Sequence, residues 1–336
     1  MAEPHFDLLA IGEPLIEFNQ RDPAQPTFTR GFGGDTSNAV IAAARLGARC
    51  GYICQVGDDA FGADLQALWR SEGVALDGVR SVAAAPTGLY FVSHGQDGPG
   101  SGHQFSYRRT GSAAARMTPD DLPRALLART RWLHASGISL AISASACDAV
   151  LDAISVARAA GARTSFDLNY RPRLWPAARA LALTRQVLAT CDLFLPSVDE
   201  IQALTGLDQP DAIIDWAHAQ GARAVVLKLG RGGCRASDGQ TRSSVPGHPV
   251  QAVDATGAGD CFAGACLAAL AAGAPLAEAA RQANLAAALS TQGYGAVGPL
   301  PTRAALRAAG LTAGLTAALT AEPVADPAAD PAATTG

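Results

Sequence analysis

The chain has 336 residues, enough for one large domain or two ordinary ones. Hydrophobic residues make up 49% of it, so a sizeable core is within reach, and 26 basic against 30 acidic residues give a net charge of −4. No segment concentrates Lys and Arg as a nucleic-acid arm or a polybasic anchor does, which argues against such partners but leaves room for a small anionic ligand.

In chain order, short apolar runs alternate with longer helical ones. Strands are expected over 6–11, 50–56, 131–135, 164–168, 193–195 and 224–227. Helices are expected over 38–46, 60–72, 144–160, 177–188, 211–220, 258–272 and 276–291. Asp35, Thr36 and Ser37 are cap-type residues before the first helix, Gly47 closes it, and Gly73, Gly161 and Gly273 close others. Strands alternating with helices of this length predict βαβ units around a mainly parallel sheet.

Two segments break the alternation, 14–33 and 87–110, which read as short strands with little helix. Within the second, 89–92 and 103–107 flank a Gly-rich turn at 95–102 and predict a hairpin. Small β insertions in an α/β domain often cover a ligand site. Residues 312–336 hold Ala, Thr, Pro and Asp with no aromatic residue and are expected to be a disordered tail, leaving 1–311 as the folded domain.

The seven cysteines lack zinc-ligand spacing and read as buried small hydrophobes in a reducing compartment. Residues 1–6 have no signal-peptide character. The longest low-charge apolar stretch, 261–275, falls short of the ~20 residues a membrane span needs. The expectation is a cytoplasmic protein.

There is no GxxxxGK[ST] loop. A GxGxxG at 293–298 follows a helix and runs into Pro299, so it cannot open a dinucleotide-binding helix. The run Asp254-Ala255-Thr256-Gly257-Ala258-Gly259-Asp260 is different. A small-residue turn leading into a helix points backbone N–H groups outward, where the macrodipole favours negative charge. Asp260, in the first helical turn, can accept a proton from an attacking hydroxyl, or can simply complement the dipole. A second Gly-rich turn, Gly31-Phe32-Gly33-Gly34, enters the helix bearing Asn38, whose side chain, like that of Asp35, suits polyol hydroxyls. Helix capping alone would also explain Asp35 to Ser37.

Together these two turns resemble the N-terminal and C-terminal signatures of the ribokinase-like (PfkB) carbohydrate kinases, over roughly 6–305. The resemblance implies an α/β three-layer α/β/α sandwich with a small β lid, ATP as donor and Mg2+, and it leaves open a K+ ion near Asp254. It implies Asp260 as base and Gly257, Ala258 and Gly259 as an anion hole. It implies a nucleotide side built from Asn169, Ser197, Lys228, Gly230, Gly233, Gly257, Gly259 and Asn284, with Glu200 acting indirectly on the metal. Lys228 is the chain's only lysine. Relatives carry Asn where this chain has Ser197. Family members often dimerise through the lid, so a homo-oligomer is expected.

Three segments resemble the 2-keto-3-deoxygluconate kinase subgroup: 11–18, 107–114 and 167–175. This implies an acceptor site of Gly33, Gly34, Asn38, Tyr90, Tyr107, Arg109 and Arg171. Arginine forks pair carboxylates bidentately, so Arg109 and Arg171 suit a sugar acid. A neutral-sugar kinase, for fructose or ribose, is the nearer alternative. A non-catalytic sugar- or nucleotide-binding regulator is the distant one.

Overall fold

The computed structural model describes residues 5–20, 22, 24–94, 103–312 and 321–323. Its strands are β1 (Phe6–Ile11), β2 (Leu15–Asn19), β3 (Thr29–Gly33), β4 (Cys50–Gly57), β5 (Ala75–Val82), β6 (Leu89–His94), β7 (His103–Arg108), β8 (Thr130–Ser136), β9 (Arg163–Asp167), β10 (Leu193–Leu195), β11 (Val225–Lys228), β12 (Gly233–Ser237), β13 (Thr241–Pro246) and β14 (Ala321–Pro323).

Ten strands form the main sheet, in the order β14-β13-β12-β11-β10-β9-β8-β1-β4-β5. Pairing is parallel from β5 across to β11 and antiparallel from β11 to β14. Leu8, Leu9, Ala10 and Ile11 are all fully buried, as expected of a parallel strand covered on both faces. Two apolar clusters occupy the two faces. One gathers Leu8, Val226 and the helix Ala258–Ala271; the other gathers Leu9, Phe166 and the helix Ala144–Ala159. The result is the expected three-layer sandwich. Strand order reverses at β1, which has β4 on one side and β8 on the other. In open α/β sheets, ligands bind beyond the strand carboxyl ends at such a switch point.

The lid is a separate four-stranded sheet, β3-β2-β6-β7. The expected hairpin is β6 against β7, with Tyr90 opposite Tyr107; its turn at 95–102 lies outside the described residues.

Two departures concern element ends. The first helix spans Asp35–Arg45, three residues earlier than expected. Asp35, Thr36 and Ser37 lie inside it, and Gly34 is the N-cap at φ 107. Tertiary partners override the capping preference: Trp69 Nε1 donates to Ser37 Oγ at 2.9 Å, and Thr36 Oγ1 bonds Tyr52 Oη at 2.9 Å. Of the expected tail, Thr312 ends the helix Arg303–Thr312, and Ala321–Pro323 pairs antiparallel with β13; the rest lies outside the described residues. Strand β5, the β12–β13 hairpin and the helix Val198–Thr205 were not expected from the sequence.

All seven cysteines are free and buried. Among the described residues, no helix is long and apolar enough to cross a membrane.

Candidate active site

One cleft of about 1920 Å³ lies between the lid and the carboxyl ends of the parallel strands. The end expected to face a phosphoryl group is the turn before the helix Ala258–Ala271. Gly257 caps that helix at φ 76, and a Cβ there would stand 2.9 Å from Ala296 Cβ, so glycine is demanded by both conformation and space. Asp254 holds the turn in shape. Its Oδ1 accepts from Thr256 N (2.9 Å) and Thr256 Oγ1 (2.7 Å), and its Oδ2 accepts from Gly295 N (2.8 Å). The 293–298 loop thus buttresses the turn, as a Gly-rich run without a dinucleotide role can.

Asp260 meets Asn38 because two Ala-rich helices pack closely. A Cβ at Gly264 would lie 2.1 Å from Ala39 O. This approach lets Asn38 Nδ2 donate to Asp260 Oδ2 at 2.8 Å across 222 residues of sequence. Asn38 Oδ1 is buried without a hydrogen-bond partner among the described residues. An unmade buried bond costs about 1–3 kcal/mol, so this oxygen is an open acceptor for a ligand hydroxyl. Burial pushes the Asp260 carboxyl up to about 7, and the negative charge of Asp35 adds to the effect; the Asn38 hydrogen bond opposes it. A carboxylate tuned there is well matched to general-base work near neutral pH.

The floor is built at the ends of β9, β10 and β11. Lys228 Nζ sits 2.8 Å from both carboxylate oxygens of Asp167. Burial works against its charge, but Asp167 and Glu200 outweigh it and hold the ammonium's pKa above its ordinary value. Ser197 and Glu200 cap the helix Val198–Thr205 reciprocally, with Ser197 N donating to Glu200 Oε2 at 2.8 Å. Gly230 (φ 57) and Gly233 (φ 96) shape the next turn, and Asn284 Nδ2 donates to Pro246 O at 2.9 Å at the far rim.

The end expected to hold the acceptor lies under the lid. Tyr90 donates to buried Glu17, and a Cβ at Gly33 would fall 2.5 Å from its hydroxyl. Tyr107 stacks on Tyr90 with ring centroids 5.5 Å apart, and the Arg109 guanidinium lies 5.2 Å over the Tyr107 ring. A Cβ at Gly34 would sit 2.4 Å from Glu13 O. Arg109 is not the free fork read from the sequence: it is ion-paired with Glu13, whose side chain is 0% exposed and also accepts from Ser112 Oγ at 3.1 Å. Burial raises the Glu13 carboxyl above its usual range, against the pull of Arg109. Arg171, by contrast, is exposed to the cleft, and its one hydrogen bond among the described residues is to Tyr170 O at 3.1 Å.

Asn169 is the sole non-glycine with positive φ among the described residues, at 37°. Its Nδ2 donates to Asp35 Oδ2 at 3.0 Å, which ties the end of β9 to the first helix across the cleft. Every residue singled out from the sequence lies on this cleft except Gly33, which borders it through Tyr90, and Asp254, which acts behind the turn. Sequence reasoning missed Glu13 and Asp167 as site residues. Glu13 lies just past β1 and Asp167 ends β9; position at a parallel strand's carboxyl end was the available signal.

Residues 6–303 match the sequence model of the pfkB family carbohydrate kinases. A 2-dehydro-3-deoxygluconokinase of Thermoproteus tenax is 36% identical over 78% of this chain and 81% of its own. A probable fructokinase-4 of Arabidopsis thaliana is 34% identical over 90% and 95%. A putative ribokinase II of E. coli, solved in complex with ATP and Mg2+, superposes with a TM-score of 0.84 at 26% identity, over 93% of this chain and all (100%) of that one. A glycine-capped turn, a raised carboxyl beside it and this matched family all describe the same chemistry, and the chain belongs to the pfkB family of carbohydrate kinases.

Proposed function

We propose that this kinase transfers the γ-phosphoryl group of ATP to a terminal hydroxyl of a sugar acid, 2-keto-3-deoxygluconate being the first candidate, to give the 6-phosphate. The observation that carries the acid reading is Arg171, a guanidinium exposed to the cleft whose one hydrogen-bond partner among the described residues is a backbone carbonyl. The acceptor lies against Asn38, Tyr107, Arg109 and Arg171. Asp260 takes the proton of its hydroxyl, and the N–H groups of the Gly257–Gly259 turn face the charge spread over the transferring group. Gly230, Gly233 and Asn284 line the nucleotide end. Asp167 and Glu200 offer hard carboxylate oxygens for Mg2+. No group of three His, Cys, Asp or Glu side chains gathers as a metal cage among the described residues, which suits an ion that keeps waters and nucleotide oxygens as ligands. When bound, Mg2+ neutralises charge on the phosphates.

The second reading, a neutral-sugar kinase, is favoured by one observation: Glu13 already neutralises Arg109. ADP release measured with 2-keto-3-deoxygluconate, fructose and ribose separates the two. The acid reading expects kcat/KM on the acid to exceed that on fructose by about tenfold or more, the worth of one good charged contact, and expects Arg171→Ala to erase that margin. A fructose preference in the wild type transfers the assignment to the neutral sugar.

A further inference from the structure

Lys228 is held by a carboxylate on the cleft floor. Its Nζ is equidistant, at 2.8 Å, from Asp167 Oδ1 and Oδ2. The two side chains are 14% and 4% exposed. The lysine backbone is fixed as well: Lys228 N donates to Pro196 O at 2.8 Å, and Ser197 bridges Lys228, tying the ends of β10 and β11 together. Glu200, buried in the first turn of the next helix, adds a second carboxylate to this floor. A Cβ at Gly259 would lie 3.7 Å from Nζ, so the ammonium also stands directly beneath the phosphoryl turn.

A pair of buried carboxylate groups with hard oxygens is a seat for a compact cation. Here the seat already has one. Two buried carboxylates without a counter-charge would be costly, and the ammonium removes that cost while the cleft is empty. A free divalent ion approaching Asp167 meets a positive charge in the place it would take. An ion arriving on nucleotide phosphates brings anionic oxygens with it, and these give the ammonium a new partner beside Gly259 as it yields its share of Asp167.

We propose that Lys228 is a resident counter-ion that bars free divalent cations from the Asp167–Glu200 floor and admits a cation only together with nucleotide phosphates. Lys228 is in this sense a positioning residue that sets the order of loading. The inference rests on the kinase reading for its nucleotide and is indifferent to which sugar is the acceptor.

The test is Mn2+ binding to the full chain, read by the loss of the free-ion electron paramagnetic resonance signal, with no turnover involved. Wild type without nucleotide should bind Mn2+ weakly, and a non-hydrolysable ATP analogue, after subtraction of the Mn2+ that the analogue alone takes up, should tighten binding to the protein by about tenfold or more, the size of an ordinary coupling between sites. Without nucleotide, Lys228→Met should bind one Mn2+ about tenfold more tightly than wild type, or tighter, and adding Asp167→Asn should remove that gain. A wild type that binds the analogue by calorimetry yet binds Mn2+ equally well with and without it overturns the proposal, and this arm needs no variant to fold. So does a Lys228→Met protein of native circular dichroism with no gain in Mn2+ affinity. Failure of the kinase reading looks different: the analogue does not bind by calorimetry, while the gain in Lys228→Met persists.

Discussion

The two ends of the cleft are built on different principles. At the phosphoryl end, backbone does most of the work: Gly257 takes a left-handed φ against Ala296, Asp254 ties the turn to Gly295, and Asp260 is the acid in the first turn of the helix that follows. At the acceptor end, side chains do it, and their charges answer one another before any ligand arrives: Glu13 with Arg109, Asp35 with Asn169, Glu17 with Tyr90. The first arrangement leaves its electrostatic potential directed outward at whatever carries negative charge. The second spends much of its charge internally, so its selectivity depends on which groups remain open, chiefly Arg171 and Asn38 Oδ1.

If backbone carries this much of the phosphoryl end, removing the one acid placed to take a proton should be the most damaging change in the molecule. Asp260→Asn keeps the shape and can still meet Asn38, yet it cannot take a proton. Turnover should fall by between about 10² and 10⁴, the worth of a general base, with the melting temperature little changed. Steady-state assay beside a thermal melt checks this; near wild-type kcat in the variant would remove Asp260 as the base. Gly257→Ala should come next. A Cβ would meet Ala296 at 2.9 Å in a conformation L-residues avoid, displacing the N–H groups, and a loss of roughly 10² in kcat is expected from misaligned donors. A variant with unchanged kcat would mean that the turn does not stabilise the transferring group.

This contrast also explains how much could be read from the sequence. The Asp254–Asp260 and Gly33–Asn38 turns are local, and glycine and aspartate at fixed offsets carry their own conformational meaning. So do the βαβ alternation and most element ends, since burial period and capping act over a few residues. The pairing of Glu13 with Arg109 spans 96 residues and crosses from the sheet to the lid. No spacing rule reaches that far, and the sequence therefore presented Arg109 as a free fork. The Asn169–Asp35 contact was hidden for a similar reason: its positive φ turns the side chain toward Asp35, and an Asn in an extended tripeptide gives no sign of that turn.

The smallest expected effect probes the coupling between the two ends. Asp260 must be ionised to act, so with its carboxyl held near 7, kcat/KM should rise about tenfold per pH unit below that value and level off above it. Burial is the main cause and is unaffected by changes under the lid; the charge of Asp35 is the next, and it belongs to the acceptor end. Asp35→Asn removes that charge and keeps a polar group that can face Asn169. The like-charge penalty on ionised Asp260 falls, its pKa drops, and the acid limb of the profile should move to lower pH by roughly half a unit to one unit. Any loss of acceptor contacts in this variant raises KM at every pH and leaves the position of the limb alone. A profile that stays in place while KM rises would show that the ends are electrically independent, and burial alone would then account for the tuning of Asp260.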